Sequence, residues 1–156
     1  MKRCVWCSVW AALLGLCACT TTSALEKQAS HAVAFRELKN YFVRNDVPDG
    51  ASRQVLRSQA ALKENFGMAA IMEPKGQPSR VDFEADCVLA IVAPKMKRDC
   101  TLEVREVVKE EGRMYVRYCQ TLGAPLTYTI RSCLLLAVPQ AEVPSEVVFQ
   151  CVDGSF

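Results

Sequence analysis

Two uncharged apolar runs, residues 88–92 (VLAIV) and 133–138 (CLLLAV), constrain the fold of this chain more than any other feature. A half-buried strand alternates apolar with polar, and an amphipathic helix breaks an apolar run at every turn. A short unbroken run ended by proline, as Pro139 ends the second, reads as a strand at the centre of a sheet. The chain around them is rich in further strand signals. Residues 81–94 (VDFEADCVLAIVAP) read as one strand that begins half-buried and becomes fully apolar. Residues 100–120 read as a hairpin turning at Glu110-Glu111-Gly112-Arg113, with Met114, Val116 and Tyr118 sharing one face of the return arm. Residues 126–139 (LTYTIRSCLLLAVP) read as a second long strand, and residues 145–151 as a short last one.

One helix is expected, over residues 58–66 (SQAALKENF). Ser58 can cap its first turn, Leu62 and Phe66 lie four apart on one face, and Gly67 suits a left-handed residue after the last turn. Val55 and Leu56 form a short strand before it. Residues 33–47 are rich in β-formers and read as a bulged strand or two short ones, ended by a turn at Asp46-Val47-Pro48-Asp49-Gly50. Residues 74–80 are a loop. The expected fold is α+β: one short helix packed on a curled, mostly antiparallel or barrel-like sheet.

The first residues have a different character. Lys2 and Arg3 precede an uncharged, mostly apolar run over residues 5–16, too short to span a bilayer and laid out as an export signal. Leu16-Cys17-Ala18-Cys19 resembles the lipobox of bacterial lipoproteins. That resemblance implies cleavage before Cys19 and acylation of its thiol, with several lipid chains giving a stable anchor. The expected layout is then a lipoprotein signal peptide over residues 1–18, a tether over 19–32 and a single domain over 33–151. Lodging in the cell envelope follows, at the periplasmic face of the outer membrane. Cys4 and Cys7 have C-x-x-C spacing but leave with the signal.

Removing Lys2 and Arg3 from the 19 basic residues leaves 17, equal to the 17 acidic ones, so the mature chain is neutral. A nucleic-acid partner, which needs a basic stripe, is not expected. Five cysteines follow Cys19 without a C-x-x-C among them, and His31 is the one histidine, so no metal, cofactor or nucleophile–histidine pair is expected. Asp82, Glu84 and Asp86 alternate; they suit acid–base work or Ca²⁺, or, as the plainer reading, a solvated strand face. Phosphate-binding and nucleophile-elbow motifs are missing. The basic run Lys95, Met96, Lys97 and Arg98 reads as a loop at a strand end, suited to contact with lipid headgroups or an acidic partner or, as the plainer reading, to solvation.

From about residue 55 to 150, the order of features resembles the domain at the C-terminus of PrcB, a lipoprotein associated with a surface protease complex. The matching pieces are the helix ending in Phe66-Gly67, VDFEADCVLAIV, LEVREVVKEEGRMYVRY and CLLLAVP. Where that family has a Thr-Gly-Gly-Tyr-like loop, this chain has Arg98-Asp99-Cys100-Thr101; a Pro-Tyr pair corresponds to Ser132-Cys133. If both tyrosine positions lie at one end of the sheet, the resemblance implies a bridge between Cys100 and Cys133. It also implies a non-enzymatic, lipid-anchored protein that binds or stabilises another envelope protein, a protease among the candidates. The alternative is a periplasmic carrier of a small ligand or glycan. Trp6 and Trp10 both fall in the signal, which leaves the mature domain without tryptophan to stack on sugars.

Overall fold

The computed structural model describes residues 30–69 and 76–153. The described elements are β1 (His31–Ala32), β2 (Arg36–Leu38), β3 (Tyr41–Val43), β4 (Ser52–Leu56), α1 (Gln59–Asn65), β5 (Phe66–Met68), β6 (Asp86–Val92), β7 (Met96–Glu110), β8 (Arg113–Ile130), β9 (Cys133–Pro139) and β10 (Val147–Asp153), with a 3-10 turn at Gln140–Glu142. The expected signal peptide, Cys19 and most of the expected tether lie outside the described residues. The last two residues assigned to that tether, His31 and Ala32, form β1.

The strands form a front sheet in the order β1-β7-β8-β10, a central sheet in the order β2-β9-β6-β4, and a β3–β5 ribbon. All pairings are antiparallel except that of β10 with β8. The fold is α+β and mostly antiparallel, as expected, but the described strands close no barrel: each four-stranded sheet ends at two edge strands.

The apolar runs explain the layering. On β6 and β9, Cys87, Leu89, Ile91, Leu134, Leu136 and Val138 meet Val107, Met114, Val116 and Tyr118 of the front sheet. The intervening Val88, Ala90, Val92, Leu135 and Ala137 meet Leu38, Val43, Leu56, Leu62 and Phe66 on the other side. Register pairs Leu89 with Leu136 and Ala90 with Leu135, so the two rows keep to their own faces. Strands covered on both faces cannot carry polar residues cheaply, and among the described residues no polar or charged one is buried. Two apolar faces need two covering layers, which a sandwich supplies.

Ser58 caps α1 as expected: its backbone is extended and its Oγ accepts from the Ala61 amide at 3.2 Å. The helix end differs. Phe66 is already extended, at φ −128° and ψ 138°, and the chain passes directly into β5. Gly67 is therefore not a left-handed cap. It sits opposite Phe42, and a Cβ there would lie 2.3 Å from the Phe42 ring.

The hairpin turns where expected. Glu111 (φ 53°) and Gly112 (φ 77°) are both left-handed between the paired Glu110 and Arg113, the backbone of a two-residue I′ turn. Residues 33–47 do contain two short strands, β2 and β3, but these join different sheets, redirected at left-handed Asn40 (φ 64°).

β4 begins earlier than expected, at Ser52, and β10 runs later, over Val147–Asp153; three further differences bear on the expected site residues. β6 starts only at Asp86, because Asp82 closes a turn. Its Oδ1 accepts from the Glu84 amide at 3.0 Å, and its carbonyl accepts from Ala85 and Asp86 at 3.2 and 2.7 Å. Asp82, Glu84 and Asp86 therefore do not share a strand face. β7 starts at Met96, so Met96, Lys97 and Arg98 are strand residues rather than loop: Met96 and Arg98 stand opposite Ile130 and Pro125 of β8, and Lys97 and Arg98 are exposed. Residues 126–139 are not one strand. The chain leaves the front sheet at Ile130 and enters the central one at Cys133, with the Ala93 amide donating to the Ser132 carbonyl at 2.9 Å between them.

The long hairpin gives the molecule two unlike ends. One carries its turn: there β1 pairs with β7 (His31 opposite Lys109), Lys109 meets Glu142 at 3.0 Å and Arg113 meets Glu146 at 2.9 Å. The other carries the first residues of β7 and β9 and the last of β6 and β8, with Met96 opposite Ile130 and Val92 opposite Cys133.

Candidate functional site

At the second end lies a cleft of about 560 Å³, lined by Phe42, Val43, Asn45, Lys95, Thr129, Ile130 and Arg131. Strand β3 brings Phe42 and Val43, which the two-residue period points to opposite faces: Val43 is buried, whereas Phe42 is 48% exposed. Gly67 lets the Phe42 ring lie against β5, where any larger residue would push it off.

The far wall is a bulge in β8. Ile130 faces Met96 and Pro125 faces Arg98, so four residues of β8 stand against one of β7. A bulge frees a strand from its ladder and re-aims its side chains. Here it turns Tyr128 outward, 61% exposed, beside the cleft-lining Thr129.

Arg131 holds the floor. Its terminal nitrogens donate to the carbonyls of Val47 (3.1 Å), Pro48 (2.8 Å) and Gly50 (2.9 Å), which fixes the turn after β3. Its Nε is buried without a hydrogen-bond partner. Lys95 meets Asp49 of the same turn at 2.7 Å and holds the Asp49 carboxyl below its usual range. Arg44 does the same for Asp46, mainly through a side-chain hydrogen bond.

Of the expected contact residues, Lys95 lines this cleft. Met96, Lys97 and Arg98 follow on β7, and Arg98 donates from Nε and Nη2 to the Gly123 carbonyl at 3.2 and 3.0 Å. The Cys100–Cys133 bridge is not formed; both are free thiols. The backbones do approach, since Ser132 Oγ donates to the Cys100 carbonyl at 2.5 Å. The pleat separates the side chains: Cys133 points with Leu135 and Ala137 toward the helix layer, its Sγ donating to the Tyr41 carbonyl at 3.8 Å, while Cys100 belongs to the front sheet.

Burial raises the thiols of Cys87 and Cys100, and takes that of Cys133 from 9.0 to about 11. An activated nucleophile needs the opposite direction. His31 is exposed on β1, and among the described residues no three His, Cys, Asp or Glu side chains gather as a metal site.

Phe42 and Arg131 were not legible as site residues. For Phe42 the alternation within YFV is a signal of outward direction but not of a cleft. Arg131 has no sequence signal, because its partners are backbone carbonyls. Comparison of the chain with protein-family models, with curated proteins and with solved structures yields no match.

Proposed function

We propose that this chain is an envelope lipoprotein, acylated at Cys19 and held at the periplasmic face of the outer membrane. Its domain acts without catalysis, by binding or stabilising another envelope protein, a protease among the candidates. The observation that carries the reading is the half-exposed Phe42, backed by Gly67 and facing the bulge of β8 across a cleft. Aromatic side chains, Phe among them, are enriched at protein interfaces relative to the rest of the surface. The lipobox-like Leu16-Cys17-Ala18-Cys19 and the resemblance to the PrcB domain support it independently. A curled sheet belongs to the same proposal: three register irregularities along the β7–β8 pair supply the bends such curling needs.

Palmitate labelling of the wild type and of Cys19→Ala tests the anchor, and equal labelling of the two overturns it. Mild cross-linking in the native envelope tests the binding role. A stoichiometric protein partner is expected, and repeated recovery of the chain alone counts against it.

The ligand-carrier alternative has one observation in its favour: the cleft volume falls within the range of about 300–1,000 Å³ typical of small-molecule sites. The space between the two sheets is filled by side chains, with Cys87, Leu89, Ile91, Met114, Val116, Leu136 and Val138 all at 0% exposure.

A further inference from the structure

We infer that the cleft receives an extended acidic segment of a partner protein, with an apolar side chain seated against Phe42. The inference rests on the protein-binding reading and adds the chemistry of the partner.

Charge argues for an acidic segment. The lining holds two cations, Lys95 and Arg131, and no carboxylate. Asp49 of the adjoining turn pairs with Lys95 and also feels the charge of Arg131, whose hydrogen bonds go to three neutral carbonyls, so two cations share one carboxylate and the cleft keeps a net positive charge. Lys97 and Arg98 continue the positive charge along β7, against Asp99 alone. Shape argues for an apolar side chain between the charges: Phe42, Val43 and Ile130 are the apolar part of the lining, beside the uncharged Asn45 and Thr129. The bulge argues for an extended backbone. Residues 126–129 have lost their register partners on β7, which leaves strand-like chain at the cleft wall for another strand to meet.

Position argues for a protein rather than a lipid surface. The chain enters the fold through β1, paired beside the hairpin turn, whereas the cleft lies at the end where β7 begins and β8 ends. An anchor upstream of β1 thus attaches to the end opposite the cleft.

The test uses the full chain in detergent micelles and two labelled peptides, each with leucines at its centre, flanked by glutamates in one and by lysines in the other. Fluorescence anisotropy should show the glutamate peptide binding about tenfold or more tightly, with the preference fading at high salt. Thr129→Glu, on the exposed bulge, should cost about tenfold in that affinity, and Lys95→Gln should narrow the preference, with thermal unfolding of each variant checked. Equal affinity for the two peptides, or a folded Thr129→Glu protein that binds unchanged, overturns the inference. So does preferential binding of the full chain to anionic phospholipid vesicles that the Thr129→Glu change weakens while neither peptide binds.

A photo-crosslinking amino acid in place of Phe42, or of Glu111 at the hairpin turn, separates this inference from the reading beneath it. Cross-links from position 42 to an acidic, apolar-centred segment support both. Cross-links from position 111 alone leave the protein-binding role standing and remove the cleft. Cross-links from neither remove the role itself.

Discussion

Arg53, on edge strand β4 of the central sheet, donates from Nε to the hydroxyl of Tyr118 in the front sheet at 3.0 Å, and a terminal nitrogen donates to the same oxygen. Its guanidinium also stands 5.6 Å from the centre of the tyrosine ring. The pair ties the two sheets together, and its members are unequal: Tyr118 is 1% exposed, whereas Arg53 is exposed.

That inequality sets the order of two mutational costs. Tyr118→Phe frees an arginine that water can solvate, at about 0.5–1.5 kcal/mol. Arg53→Ala strands a hydroxyl that water cannot reach, at about 1–3 kcal/mol. The double variant should be no less stable than Arg53→Ala alone, because the stranded hydroxyl is gone. Urea unfolding followed by circular dichroism gives the ranking; Tyr118→Phe as the costlier change would refute it.

Arg131 makes a sharper case. Arg131→Met leaves three carbonyls of the 47–50 turn without their donor, and a loss of about 2 kcal/mol is expected. Arg131→Lys should recover little of it, since an ammonium has no planar fork to span three acceptors. Limited proteolysis is the second readout: cleavage near Asp49 should rise in both variants and stay slow in the wild type.

The Phe42–Gly67 contact predicts a rescue. Gly67→Ala puts a methyl 2.3 Å from the tip of the half-exposed Phe42 ring, which must swing aside toward solvent, and should cost about 0.5–1.5 kcal/mol. In a Phe42→Ala background the same change has nothing to strike and should be nearly neutral. Additive costs in the double variant would contradict this account.

Cys133 predicts an alkaline slope. Its folded-state value of about 11 lies above the ordinary 9.0, raised by burial. Between those values the unfolded chain has lost a proton that the folded chain keeps, so stability falls as pH rises. The contribution is complete below pH 9.0, and roughly 2–3 kcal/mol is lost by pH 11. Wild type and Cys133→Ala, unfolded in urea with reductant at stepped pH, should show stability differences that narrow across this window. Parallel curves would exclude the effect.

What could be read from the residues was whatever a local pattern determines. The double-sided burial of β6 and β9 is written in their uninterrupted apolar runs. The I′ turn follows from Glu111-Gly112, and the cap of α1 from Ser58. What failed needed knowledge of another segment. Met96, Lys97 and Arg98 are polar enough for a loop and become strand because β8 runs beside them. Residues 126–139 carry no mark at Ile130, since strand residues of the front and central sheets have the same composition; only the crossing separates them. The Cys100–Cys133 pairing placed two chain segments correctly near each other, but the pleat turns the thiols apart. The candidate cleft draws on three stretches far apart in sequence, and of its residues only Lys95 was singled out beforehand.

The parallel pairing of β10 with β8 sets an order of assembly. A hairpin partner can zip up as soon as it is made, but β10 reaches β8 only after β9 has crossed into the central sheet and the chain has returned. Met114, Val116 and Tyr118 thus wait for the last strand, whose Val147, Phe149 and Cys151 lie opposite them. The front sheet is completed only when β10 has been made and has returned to β8. Until then the apolar edge of β8 is open to any strand or chaperone it meets.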